Sequence, residues 1–173
     1  MQVTYGPEFG IAKPLISLDQ ATGEIVAPSC DPLQVRAWIM AVTNKLLALP
    51  QGDQIEMEVK HTIDNGMYMR ELFIPKGSFL VGKIHKVPCL NIVSKGDISV
   101  ITETGSARVQ AGYTVASPAG IQKMGYAHED TVFINVFRTD ETDLEKIEQL
   151  IAFDSYEAAS AECITNTKET LCL

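Results

Sequence analysis

The sequence has no CxxC pair. Its four cysteines, Cys30, Cys89, Cys163 and Cys172, stand far apart, which argues against a zinc ribbon and a disulfide framework and leaves reduced thiols as the expectation. Positive charge is also scarce: 14 Lys and Arg face 22 Asp and Glu, for a formal net charge of −8. A phosphate backbone needs a basic face that releases its counterions, so no nucleic-acid partner is expected. Long hydrophobic runs are missing too. None is long enough to cross a bilayer, and the opening MQVTYGPEFG lacks the basic-then-apolar pattern of a signal peptide. These absences point to a soluble, cytoplasmic protein with no membrane partner.

Hydrophobic residues make up 46% of the chain and charged residues 21%, a balance that favours folding over disorder. The 173 residues suit one domain with extensions, because a core of about 100–150 residues already buries most of its apolar surface. Three segments are expected: an N-terminal arm and helix over residues 1–53, a β domain over 54–138, and a C-terminal helix and tail over 139–173.

Residues 1–28 carry Pro7, Pro14 and Pro28 and read as an irregular arm packed on the domain or on a neighbour. In CDPLQVRAWIMAVTNKLLALPQG, Asp31 can cap a helix and Pro32 fits its first position. Val35, Trp38, Ile39, Val42, Leu46 and Leu49 then recur at helical spacing until Pro50 and Gly52 end it. From Gln54 the period becomes two: Ile55, Met57 and Val59 alternate with Glu56, Glu58 and Lys60, and Asp64-Asn65-Gly66 supplies a tight turn. Short β-rich runs follow, each bounded by glycine or proline, from FLVGKIH through TVFINVF. This rhythm indicates a β-sandwich or small barrel. The closing TDETDLEKIEQLIA reads as an amphipathic helix with Thr142 and Glu145 at capping-box spacing and Leu144, Ile147 and Ile151 on one face. The tail from Phe153 is weakly helical at best.

Two stretches have a fixed punctuation. The first runs Gly77, five residues, Lys83, one, His85, three, Cys89, six, Gly96; the second runs Gly112, five, Pro118, one, Gly120, two, Lys123, three, Ala127. Over residues 54–138 this pattern resembles the two motifs of the cupin superfamily, the RmlC-like β-barrels. The resemblance implies a mainly β fold, a cupin-type double-stranded β-helix (jelly-roll) barrel with an N-terminal and a C-terminal helix. In that family the first motif carries His, His and Glu where this chain has Lys83, His85 and Cys89, and the second carries His and Asn where it has Lys123 and Ala127. The phrases GKIHK, SKGDISV, YAHEDT and ETDLEKIE are also similar to an uncharacterised cupin family of bacteriophage and prophage proteins.

A typical catalytic cupin metal needs three imidazoles and a carboxylate. Only His85 keeps its ligand type, so a degenerate metal site and no cofactor are expected, with Cys89, His61 or His128 as the residues able to rescue one. If Lys83 and Lys123 point inward as the family's ligands do, two ammonium groups replace the metal's charge and a small anion becomes the natural guest. It would be held by Lys83, His85, Cys89 and Lys123. The alternative is that both lysines snorkel to the barrel mouth over an apolar interior. Cys89 is either a nucleophile beside Lys83 or an inert filler. Arg70 and Glu71 are expected to pair across strands on the outer face, the alternative being that they flank the pocket. His128, Glu129 and Asp130 read as a structural turn.

Two functions follow. The first is a metal-free binding or structural accessory protein of phage or prophage origin, a homo-oligomer whose partners include viral structural or host proteins and a small anion. The second is a metal-independent sugar or sugar-nucleotide isomerase or epimerase with His85 as base.

Overall fold

Alternation in the β-rich runs gives each strand one face for a core, and the strands assemble into two facing five-stranded antiparallel sheets. The computed structural model describes residues 3–5, 17–19, 21–22, 25–50, 55, 57–153 and 158–159. In chain order the elements are β1 (Val3–Tyr5), β2 (Ser17–Leu18), β3 (Ile25–Val26), α1 (Pro32–Leu47), β4 (Val59–Asp64), β5 (Met67–Ile74), β6 (Phe79–Val81) and β7 (Ile84–His85). They continue with β8 (Cys89–Lys95), β9 (Asp97–Thr102), β10 (Gly105–Gln110), β11 (Thr114–Ser117), β12 (Met124–Ala127), β13 (Thr131–Arg138), α2 (Leu144–Ile151) and β14 (Ala152–Phe153).

One sheet has the order β11-β8-β13-β5-β4 and the other β1-β6-β12-β9-β10. Along the barrel strands the first pairs with the last (β5 with β13) and the second with the next to last (β6 with β12). Continuing inward, β8 pairs with β11 and β9 with β10. That nested pairing is the double-stranded β-helix of the cupin type. The motif glycines Gly77, Gly96, Gly112 and Gly120 all sit at positive φ, between 78° and 94°, so the punctuation marks turns. At Gly96, between β8 and β9, a Cβ would lie 2.5 Å from Asp130 O and from Thr131 Oγ1. Backbone conformation and close packing both require glycine there. Asn65 and Gly66, both at positive φ, turn β4 into β5 as the hairpin signal required.

Asp31 caps α1 by accepting from Leu33 N, with proline in the first turn. The helix lays Val35, Ile39, Val42 and Leu46 against Phe79, Val81, Ile101 and Met124 on the outer face of the β6-β12-β9 sheet. Burying each of these aliphatic side chains is worth about 1.5–3 kcal/mol. Arg36 reaches from the helix to Glu103 Oε1 at 2.7 Å. The barrel interior is a separate cluster that includes Leu72, Ile74, Leu80, Val93 and Ile98.

Three expectations need correction. The arm is not wholly irregular: β1 adds to the edge of β6 and β2 pairs with β3, because an edge strand's free backbone groups need partners. The strand expected from Gln54 begins at Val59, where pairing with Leu72 of β5 starts. The cap of α2 is Asp143, accepting from Glu145 N and Lys146 N; Glu141 Oε1 takes the N–H groups of Thr142 and Asp143. A carboxylate one residue later than Thr142 reaches two of the free N–H groups that a hydroxyl would have to share. Ile147 and Ile151 are buried with Tyr68, Cys89 and Phe137, while Leu144 stays 40% exposed. Phe153 falls in β14, which pairs with β7; Cys163, Cys172 and nearly all the remaining tail lie outside the described residues.

Candidate functional site

Period two determines what enters the barrel. On β5 the inward parity carries Tyr68, Arg70, Leu72 and Ile74; on β8, Cys89, Asn91 and Val93; on β13, Phe133, Asn135 and Phe137. Lys83 sits in the break between β6 and β7, and Lys123 immediately precedes β12. These two loops are stitched together by Gly82 N donating to Lys123 O (2.8 Å), Gln122 Nε2 to Gly82 O (2.9 Å), His85 N to Ile121 O (3.1 Å) and Gly120 N to His85 O (2.8 Å). Lys83, His85 and Lys123 therefore line one cavity of about 120 Å³, together with Arg70, Asn135 and, from α2, Glu148. Leu72, Ile74, Leu80, Ile98 and Phe133 supply its apolar wall.

The two lysines differ. Lys83 Nζ is 3.3 Å from Glu148 Oε2, with the side chain 21% exposed, so it stands at the α2 mouth with a counter-charge. Lys123 Nζ is buried and has no hydrogen-bond partner among the described residues. Burial lowers its pKa from the ordinary lysine value, against weaker opposing pulls from Cys89 and Glu103. His85 is half-buried, edge-on to Phe137 with ring centroids 5.3 Å apart, and its Nδ1 lies 3.2 Å from Cys89 Sγ. Burial first, then the positive charges of Lys123 and Arg70, push its pKa down to about 3. The ring is neutral at pH 7. Burial also raises the Cys89 thiol, outweighing Lys123 and a hydrogen bond to Asn91. A protonated, enclosed sulfur is a poor nucleophile. Beyond Cys89, Asn135 Nδ2 donates to Asn91 Oδ1 at 2.8 Å, and Asn91 Nδ2 donates to Ser117 Oγ at 2.8 Å.

No family model matches this chain, and no curated protein does. Solved structures of cupin type are similar to about half of it. KdgF from Halomonas sp. is 16% identical, with 51% of this chain and 83% of that one covered and a TM-score of 0.45. An RmlC-like cupin family protein with a double-stranded β-helix fold from Methanocaldococcus jannaschii is 14% identical over 53% of this chain and 87% of its own, with a TM-score of 0.42. A conserved Streptococcus pyogenes protein of unknown function is 19% identical over 50% and 77%, also at 0.42. The fold assignment rests on the strand pairing given above.

The donor set does not fit a divalent cation. Among the described residues no three His, Cys, Asp or Glu side chains converge; His85 shares its cavity wall with Lys123, and Cys89, expected to line it too, is buried behind His85 and outside the lining. The other histidines do not line the His85 cavity: His61, opposite Arg70 on β4, has its Nδ1 2.8 Å from the inward Tyr68 Oη and lines a separate outer cavity with Lys83 and Glu148, and His128 Nε2 is 2.8 Å from Ser99 Oγ. His128 N and Glu129 N both donate to Asp97 O, and Asp130 Oδ1 accepts from Lys76 N, so that segment is a hydrogen-bonded turn. Among the described residues no helix is long and apolar enough to cross a membrane.

Arg70 is the main correction. The cross-strand pairing expected of Arg70 and Glu71 holds for Glu71, 3.8 Å from Lys60, whereas Arg70 lines the cavity. The available signal was parity, since Arg70 is in phase with Leu72 and Ile74. Parity with Cys89 and Phe137 likewise marks Asn91 and Asn135, and Glu148 follows Ile147 on the buried side of α2.

Proposed function

We propose that this chain is a metal-independent cupin-fold binding protein that holds a small carboxylate inside its barrel. The observation that carries the reading is Lys123 Nζ, buried without a hydrogen-bond partner among the described residues in a cavity also lined by Arg70 and Lys83. A buried ammonium lacking a counter-charge is disfavoured, and an incoming carboxylate supplies that charge while accepting charge-assisted hydrogen bonds worth about 1.5–3 kcal/mol each. The opposite wall is aliphatic, which suits a short apolar tail. A cavity of about 150 Å³ accommodates benzene, so this one suits a guest of about five heavy atoms. His85 does not support an isomerase or epimerase reading: an imidazole with a pKa of about 3 is far from the value a general base needs at pH 7.

The wider role is that of an accessory protein of phage or prophage origin, which rests on the similarity of GKIHK, SKGDISV, YAHEDT and ETDLEKIE to that family. A homo-oligomer is supported by the outer face of the β5-β13-β8 sheet. Its outward parity carries Met69, Phe73, Ile92, Val136 and Leu90, the last 47% exposed, a surface suited to a second copy.

Calorimetric titration with propionate and with the isosteric neutral propionamide tests the reading. At roughly −1 kcal/mol per heavy atom for very small ligands, the five heavy atoms of propionate give a Kd of about 0.2 mM, with propionamide weaker by at least about tenfold. Equal affinity for the two, or no propionate binding, overturns the carboxylate site. Sedimentation equilibrium tests the oligomer, and a monomer at all concentrations refutes it.

A further inference from the structure

We propose that Lys123 is a nucleophilic amine that forms a reversible imine with a short 2-oxo acid seated in the barrel. This deepens the carboxylate reading and rests on it. Lys123 stands where two cavities meet. The inner one, of about 120 Å³, and a second of about 280 Å³ at the Thr102–Ala107 and Tyr113–Pro118 end share Lys123, Val100 and Phe133 in their walls. Lys123 thus belongs to the walls of both chambers.

A lysine becomes nucleophilic when it is desolvated in an apolar pocket or placed near other cations, because both favour the free base. Lys123 meets the first condition: its Nζ is buried without a hydrogen-bond partner among the described residues, in a cavity also lined by Arg70 and Lys83. Glu148, which lines that cavity, is bonded to Lys83 at 3.3 Å; Cys89 and Glu103 pull Lys123 toward the protonated form, and burial outweighs them. A 2-oxo acid fits these features with its carboxylate between Lys123 and Arg70, its carbonyl carbon, one bond on, within reach of the same Lys123 amine in its free-base form, and its carbon chain on Leu80 and Ile98.

In the reaction the nitrogen lone pair adds to the carbonyl carbon, forming a C–N bond as the C=O π pair moves to oxygen. A proton passes from nitrogen to that oxygen to give a carbinolamine. The C–O bond then breaks, a second proton leaves the nitrogen, and water departs as C=N forms. Amine and ketone become imine and water, with no change of oxidation state. The closed Cys89 thiol does not compete for the carbonyl.

The test is reductive trapping with pyruvate as probe. Full-length protein is incubated with pyruvate and borohydride, which adds hydride to C=N and renders the adduct permanent; intact mass and peptide mapping follow. One adduct per chain is expected, mapped to Lys123 and suppressed by excess propionate. Modification spread over exposed lysines, or an equal yield in folded Lys123→Met, overturns the imine. Mapping on wild-type protein carries the test where Lys123→Met fails to fold. The two readings separate cleanly. If propionate binds and pyruvate displaces it without being trapped at Lys123, the imine is wrong and the carboxylate site stands; if neither acid binds and nothing is trapped, both are wrong.

Discussion

Lys83 Nζ and Glu148 Oε2 lie 3.3 Å apart, joining the loop between β6 and β7 to α2. The same helix buries Ile147 and Ile151 against the barrel end, and Lys86 N donates to Ile151 O at 2.8 Å. Lys83 is therefore committed to holding the mouth, which leaves Lys123, without a hydrogen-bond partner among the described residues, as the lysine that faces a guest.

The Lys83–Glu148 pair is half-exposed, at 21% and 41%, so its coupling should be small. A double-mutant cycle of Lys83→Met and Glu148→Gln in urea unfolding is expected to give about 0.5–1 kcal/mol. A coupling near zero would mean that apolar packing alone seats α2.

His85 makes stability depend on pH. Its folded pKa of about 3 lies below the ordinary value of 6.5, so between those values the unfolded chain binds a proton that the folded chain does not. Stability from this group is complete above about pH 6.5 and falls as pH drops toward 3, with a slope approaching about 1.4 kcal/mol per unit. Urea titrations at several pH values should show His85→Gln losing that slope between pH 6 and 4. A ring that titrates near 6.5 by NMR contradicts the burial argument.

Glu103 is a buried carboxylate, its side chain 5% exposed, held by Arg36 at 2.7 Å. Arg36→Ala strands that charge and is expected to destabilise the fold by about 3 kcal/mol. Glu103→Gln should recover part of the loss in the Arg36→Ala background, as read from thermal unfolding.

Gly96→Ala sets two penalties against the fold at once: φ of +89° and a Cβ placed 2.5 Å from two oxygen atoms. A loss of more than about 3 kcal/mol is expected. Gly105→Ala, also at positive φ but with nothing within 4 Å, should cost only the conformational part. Comparable losses at the two sites would remove the packing half of the account.

Much of the fold was legible. Asp31-Pro32 announced α1, Asp64-Asn65-Gly66 announced the hairpin, and the glycine punctuation marked turns whose glycines sit at positive φ. These signals are local, and local chemistry determines them. β1 was not legible, because Val3–Tyr5 is a strand only through its pairing with β6, a partner more than seventy residues away. The site divides the same way. His85 and Lys123 were marked by spacing, whereas Arg70 needed its parity weighed against the pull of Glu71 toward an outer ion pair. That Lys83 finds Glu148 depends on where α2 docks, and that Lys123 finds no hydrogen-bond partner among the described residues depends on the packing around it; neither motif encodes these.

The central claim is that Lys123 anchors a carboxylate inside the barrel. Calorimetric titration of propionate into wild-type protein and into folded Lys123→Met tests it most directly. Loss of one charge-assisted hydrogen bond should weaken binding by about 10- to 100-fold; unchanged affinity in Lys123→Met would contradict it.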